Sequence, residues 1–412
     1  MLTEFYKNVL KLLTSISIAQ LIPIIITPIL TQYFSPEDFG LYGLYISICT
    51  ILGGVASCKY DTAIMLPKKT HDAYNTLVLS ILITFLFSTF CLSLLSTFNQ
   101  QLFEITNSEL LKKYYYIIPL TIFLISINQA LIVWFNRKKK YILIGKQNLF
   151  KSTSNSGSSV ILGIKSVYLG LIISHLISLI IVSYWNITNF IKDFKKHKID
   201  QKNIKKNFIK YIDFLKFSTI SNLFNSVSNI GMTSLIIIFF GPKIAGLYFF
   251  AERLIAIPIS FVTSSVSHVY FERASTLFHS DRKKLITLTN TVQKNIFILL
   301  LPFLLMLTFL GEELFSLFGG EWKEAGVILK YFLVFILFKN IYSPISHIGD
   351  ILNKQRVLLF FNISLFFFQL SSFYFLKEYN DIEPALLTAS CFGAIHYIVL
   401  NMYMKKELLK SL

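Results

Sequence analysis

Tyr33-Phe34-Ser35-Pro36-Glu37-Asp38-Phe39-Gly40-Leu41-Tyr42 returns half a chain later as Phe239-Phe240-Gly241-Pro242-Lys243-Ile244-Ala245-Gly246-Leu247-Tyr248. Phe34, Pro36, Gly40, Leu41 and Tyr42 recur as Phe240, Pro242, Gly246, Leu247 and Tyr248, each 206 residues further on in a chain of 412. A long apolar run precedes and follows each copy. Each copy therefore reads as a short turn joining the first two apolar segments of a half, where Pro sets φ and Gly allows close packing.

Outward from these turns the chain is 54% hydrophobic and 15% charged, with mean hydropathy +0.60. Soluble domains are about 45–50% apolar and about 25% charged, so both departures point to the membrane. Twelve runs of spanning length can be laid along the chain: 12–33, 39–58, 75–98, 115–135, 142–163, 166–187, 217–240, 244–270, 286–310, 326–349, 357–376 and 384–404. A crossing helix needs about 20 residues. The first run is long, contains Pro23 and Pro28, and leads into no small-residue cleavage site, so it reads as a span and not as a leader. The fifth carries Lys146, Gln147, Asn148 and Lys151 and then a polar run from Ser152 to Ser159. Such a helix is expected to pack inside the bundle or to line a wet cavity.

The expected fold class is all-α integral membrane, with twelve transmembrane helices in two six-helix bundles. Residues 1–187 form the N-terminal bundle, 188–216 a basic cytoplasmic linker and 217–412 the C-terminal bundle. Six spans per half orient both halves alike, so the repeat is parallel, a pseudo-two-fold about the membrane normal.

Lys and Arg number 39 against 22 Asp and Glu, a net charge of +17. In a soluble protein that excess suggests nucleic acid. Counting Lys146 and Lys151 of the fifth run with the segment 136–151 that leads into it, 29 of the cations fall on the side of the N-terminus, six on the other side and four elsewhere inside the spans. By the positive-inside rule both termini are cytoplasmic. The basic excess is thus a topology signal; nucleic acid drops out as a partner and membrane lipids remain.

Cys49, Cys58, Cys91 and Cys391 lie in apolar runs without a Cys-x-x-Cys pair, which predicts buried thiols and neither disulfides nor zinc. No phosphate-cradling Gly-x-x-x-x-Gly-Lys-Ser/Thr loop or His-Glu-x-x-His pair occurs. No metal and no organic cofactor is expected. The longest outer loops, about 99–114 and 311–325, leave no room for an external catalytic domain, so the chain does not read as an enzyme.

Ionisable residues inside spans cost about 2.5–3.5 kcal/mol each near the bilayer centre and are functional candidates for that reason. Arg253 lies nine residues into the eighth run, about 13 Å deep at 1.5 Å per residue. Glu252 is its neighbour, about 100° around the helix, and is placed to meet another helix. Lys339 is central in the tenth run, whereas Lys330 and Lys294 sit nearer the interfaces and are expected to snorkel. Lys59 and Asp61 close the second run, either as a rim ion pair or as charges at a cavity mouth. Asn222 and Asn225 share a face of the seventh run, to hold a sugar or a neighbouring helix. A cavity of net positive charge favours an anion such as a pyrophosphate, which Arg can hold bidentately.

The stretches Ala19-Gln20-Leu21-Ile22, Pro28-Ile29-Leu30-Thr31, Ser35 to Leu41, Lys59 to Pro67, Asn222 to Ser226 and Gly246 to Pro258 together resemble bacterial polysaccharide-transport proteins of the Wzx O-antigen flippase type. The last stretch is also similar to the eighth helix of lipid II flippases, whose matching arginine lines a central cavity; the resemblance carries that role onto Arg253. It implies the V-shaped MATE-like fold of the multidrug/oligosaccharidyl-lipid/polysaccharide exporter superfamily. Lipid II flippases usually add two C-terminal helices and an arginine in the first helix. Here the first run has only Lys11 at its edge, which argues against lipid II as cargo.

The resemblance implies a flippase in the bacterial inner membrane, moving an undecaprenyl-pyrophosphate-linked oligosaccharide (an O-antigen or capsule repeat unit) from the cytoplasmic to the periplasmic leaflet by alternating access. H+ or Na+ would be the coupling ion, and polysaccharide polymerase and glycosyltransferases the partners. Two alternatives stand beside it. An ion-coupled multidrug exporter of the same superfamily would favour intramembrane carboxylates, and here the deep charges are mostly basic. A membrane-embedded polymerase would need a large periplasmic loop.

Overall fold

In the computed structural model the described residues are 19–105, 114–167, 169–194, 198–346, 348–352, 354–379 and 381–410. They form α-helices joined by short turns, with no strand among them. In chain order the helices are α1 (Ala19–Leu30), α2 (Pro36–Gly53), α3 (Tyr60–Ala63), α4 (Thr70–Ile105), α5 (Ile117–Arg137), α6 (Tyr141–Ile164), α7 (Gly170–Phe194), α8 (Gln201–Lys210) and α9 (Thr219–Ile230). They continue as α10 (Met232–Ser280), α11 (Arg282–Ser316), α12 (Lys323–Lys330), α13 (Leu333–Tyr342), α14 (Ile348–Ile351), α15 (Gln355–Leu376) and α16 (Ile382–Lys410). The chain divides into two compact units, 1–234 and 235–412.

Both copies of the repeat start a helix at the proline. In the first unit Ser35 caps α2: its Oγ accepts from the Asp38 N–H at 3.3 Å, and Asp38 Oδ2 accepts from the Ser35 N–H at 3.0 Å. This is a reciprocal capping box. In the second unit Gly241 holds the position of Ser35, and its φ of +84° breaks α10 before Pro242. That left-handed conformation is open to glycine at little cost. Leu41 and Tyr42 are buried in the first unit, as Leu247 and Tyr248 are in the second. The recurring residues therefore anchor the second helix of each half.

The first unit packs around Tyr74, Leu77, Leu131, Trp134, Phe135 and Phe190. Polar groups inside it pair between helices, Asn186 donating to Asn128 and Asn128 to Ser183 at 2.7 and 2.8 Å. The second unit packs around Tyr270, Leu285, Phe335, Leu365, Tyr397 and Leu400.

Seven of the described helices are long and apolar enough to cross a membrane, and one further pair, Gly320–Lys330 with Leu333–Ile345, does so with a 60° bend. The chain is a multi-pass membrane protein. Seven or eight spans among the described residues compare with the twelve runs expected, and several of those runs take a different form. The first is described from Ala19, and 12–18 lie outside the described residues. The second ends at Gly53, and the fifth is an unbroken 24-residue helix, α6. The seventh, expected as one helix over 217–240, is π-helical over Phe214–Ser218, α-helical in α9 and interrupted at Gly231 before α10. The cysteines also differ from expectation. Cys49 is buried, but Cys58 and Cys91 are half-buried and Cys391 is exposed. Burial in the bilayer accounts for an apolar run without burial in protein.

Candidate functional site

In the second unit α10 carries Glu252 and Arg253, and α13 carries Lys339; all three side chains are half-buried. Glu252 and Lys339 are close enough for each charge to act on the other. The Lys339 ammonium also lies 5.4 Å from the centre of the buried Phe335 ring, a cation–π contact. Lys339 is therefore compensated twice over. The formal charges of Glu252, Arg253 and Lys339 sum to one positive, and the Arg253 guanidinium supplies a planar donor fork at this depth. Lys330, expected to snorkel, instead forms an ion pair with Glu312 on α11. The bend between α12 and α13 sets these two lysines apart: Lys330 pairs with α11, and Lys339 lies within electrostatic reach of Glu252 on α10.

In the first unit the turn after α2 holds Lys59 and Asp61. Asp61 is buried and accepts from Ser57 Oγ at 2.7 Å, so its carboxylate is held by a neighbouring hydroxyl in the same turn. Lys59 is left-handed at φ +61°. Burial holds its ammonium below the usual lysine range, with Asp61 acting in the opposite sense. Asn222 and Asn225 lie on α9, which packs against α2. Asn222 Oδ1 faces Gly54, where an added Cβ would stand 3.6 Å away. Asn225 is exposed and accepts from Asn229 Nδ2 at 3.0 Å. The structure thus gathers Lys59, Asp61, Asn222 and Asn225 in one unit and Glu252, Arg253 and Lys339 in the other.

Lys151 joins the candidates through its depth. It lies ten residues into α6, about 15 Å from that helix's start, and it is exposed. An ammonium turned to lipid there would cost about 2.5–3.5 kcal/mol. If α6 spans the bilayer as expected, this side of it is expected to face water. Asn155 and Ser158 follow Lys151 at i+4 and i+7 on the same side. The opposite side packs, with Ser156, Ser159 and Gly163 buried. The sequence signal was present in the polar run of the fifth span, but a run alone does not say which of its members faces out. Among the described residues no three His, Cys, Asp or Glu side chains converge as a metal site would require.

Residues 29–326 match the model of a family described as polysaccharide biosynthesis protein. The chain belongs to that family. No curated protein matches it. Among solved structures it resembles the lipid II flippase MurJ in an inward closed conformation, with TM-score 0.76 and 18% identity over 97% of this chain and 89% of that one. It also resembles an inward-facing multidrug resistance MATE family transporter of the MOP superfamily, with TM-score 0.68 and 15% identity over 97% and 98%. A third likeness is to a MOP superfamily transporter from Pyrococcus furiosus, at TM-score 0.59 and 14% identity over 98% and 96%. At these identities the likeness is one of fold, and the fold is that of the MOP superfamily. The region this chain shares with its family takes in Lys59, Asp61, Lys151, Asn222, Asn225, Glu252 and Arg253, and stops before Lys339.

Proposed function

We propose that this polysaccharide biosynthesis protein is a flippase that carries an undecaprenyl-pyrophosphate-linked oligosaccharide from the cytoplasmic to the periplasmic leaflet of the bacterial inner membrane, by alternating access. The observation that carries this reading is the Arg253 guanidinium within the spanning segment Met232–Ser264 of α10, in a chain of that family. A guanidinium there neutralises a pyrophosphate that would otherwise enter the membrane interior bare. The Ser- and Asn-bearing faces of α6 and α9 hydrogen-bond the sugars, and the prenyl tail stays in lipid. Counterflow of H+ or Na+, or consumption of the product by a polymerase outside, supplies the driving force. Glycosyltransferases inside supply the substrate.

Drug export is the second reading, favoured by the likeness to the multidrug transporter. It would place organic cations beside Arg253, where like charge repels them.

Purified protein in proteoliposomes, given the native lipid-linked glycan and an imposed ion gradient, is expected to move it across the bilayer. Arg253→Ala is expected to slow this by roughly 10- to 100-fold, the value of one lost charged hydrogen-bonding partner. Arg253→Lys should fall between. Efflux of organic cations by folded wild type, with no glycan movement, would sink the proposal in favour of drug export.

A further inference from the structure

The segment 188–216 contains nine lysines and three aspartates, and its described part is built onto the first unit. Asn207 of α8 is buried; its Nδ2 donates to the Asp72 carbonyl at 3.0 Å and to Thr76 Oγ1 at 3.1 Å. Asn203 Nδ2 meets His71 Nδ1 at 3.3 Å, and the Asp200 N–H donates to Asn75 Oδ1 at 2.9 Å. Ile204 and Tyr211 pack into a cluster with Tyr60, Ala63 and Leu79. The Tyr60 hydroxyl donates to the Phe208 carbonyl at 2.8 Å, and the two rings stack at 5.8 Å. One side of α8 is thereby fixed against α3 and α4.

The other side is then fixed too. Lys202, Lys205, Lys206 and Ile209 share it at i, i+3, i+4 and i+7, and all four are exposed. Lys210 is exposed beside them. Ile209 is 61% exposed among these lysines, with Ile199 and Phe217 also exposed just outside the helix. α8 contains no acidic residue, and Asp200 is engaged as its N-cap.

His71, Asp72, Asn75 and Thr76, which hold α8, lie in the first two turns of the spanning segment Thr70–Phe98. A helix docked there sits at the level where α4 enters the bilayer. Lysines flanking bare aliphatic side chains at that level match anionic headgroups over the acyl boundary. A nucleic acid or acidic peptide would leave Ile199, Ile209 and Phe217 unused.

We propose that α8 is a membrane-surface platform that binds anionic phospholipid of the cytoplasmic leaflet, its lysines on headgroup phosphates and Ile209 inserted below them. The leaflet assignment rests on the topology of the proposed function; the lipid chemistry does not.

The test is hydrogen exchange of residues 198–212 in the full chain, in nanodiscs of phosphatidylcholine with or without about 30 mol% phosphatidylglycerol. Anionic lipid is expected to slow exchange by about fivefold or more, and high salt to remove most of the gain. The K202Q/K205Q/K206Q/K210Q variant, which leaves the docked side intact, is expected to exchange alike in both discs. Equal protection of wild type in the two lipids would overturn the proposal. So would the same protection from inorganic phosphate added to the neutral discs, which would mark a generic anion site. A Gln201→Cys label, with the four native cysteines changed to Ser, reads the leaflet separately. Reaction with an impermeant maleimide from outside the cell would overturn the topology while the lipid result stands or falls by itself.

Discussion

Arg137, at the last position of α5, holds the segment that follows α3. Its guanidinium donates to the carbonyls of Ile64, Met65 and Pro67 at 3.2, 2.9 and 2.5 Å. These include carbonyls at the end of a short helix, where no intrahelical donor is available. Arg137→Gln is expected to lower stability by about 1–2 kcal/mol, seen as an earlier midpoint in detergent unfolding, and Arg137→Lys to recover part of it. An unchanged midpoint for Arg137→Gln would show that water serves these carbonyls as well. In the sequence Arg137 reads only as one more cation of a basic loop, because its acceptors lie about 70 residues earlier. Arg253 and Lys339 were legible for the opposite reason: a charge in an apolar run is conspicuous without any partner. The influence of Glu252 on Lys339 was not, since it depends on two helices distant in sequence.

At the scale of elements, α11 and α12 meet where Gly311 and Gly326 face each other. A Cβ on Gly326 would stand 2.5 Å from the Gly311 carbonyl oxygen, a backbone atom with nowhere to go. Small residues let helices approach closely in membranes, where packing and not water drives association. Gly326→Ala is expected to cost about 1–3 kcal/mol, read as a lower melting temperature of the purified protein. Gly157→Ala on α6 is the control: an added Cβ there meets nothing within 4 Å. It should leave the melting temperature unchanged or raise it slightly through helix propensity. Equal losses from both would refute the close approach. The apolar runs marked where helices lie, but not the break at Gly231 or the 60° bend between α12 and α13. Hydropathy averages over about 19 residues, and a break of one or two residues disappears in that average.

For the whole molecule, the segregation of 29 cations to one side, Lys146 and Lys151 of the fifth run included, against six on the other predicts both termini in the cytoplasm. Reporters fused at either end, one active only in the cytoplasm and one only outside, should agree on the inside. Termini on opposite sides would require an odd number of spans and would undo the parallel repeat. The repeat was visible because its matches carry structural duties that side chains perform locally: a proline that starts a helix, and Leu and Tyr that bury its next turn.

Composition and the apolar runs by themselves determined a multi-pass helical protein, and the depth of Arg253 marked it as a candidate. Those properties are sums or local patterns along the chain, so they survive without coordinates. Only the tertiary structure decided that Lys339 lies within electrostatic reach of Glu252, that Lys330 is taken by Glu312, and that residues 201–210 of the basic linker form a helix docked on α4 with its lysines turned outward. Each of these depends on which face a helix presents to a neighbour distant in sequence. That choice is made by packing and hydrogen-bond satisfaction across the whole unit, where no local pattern records it.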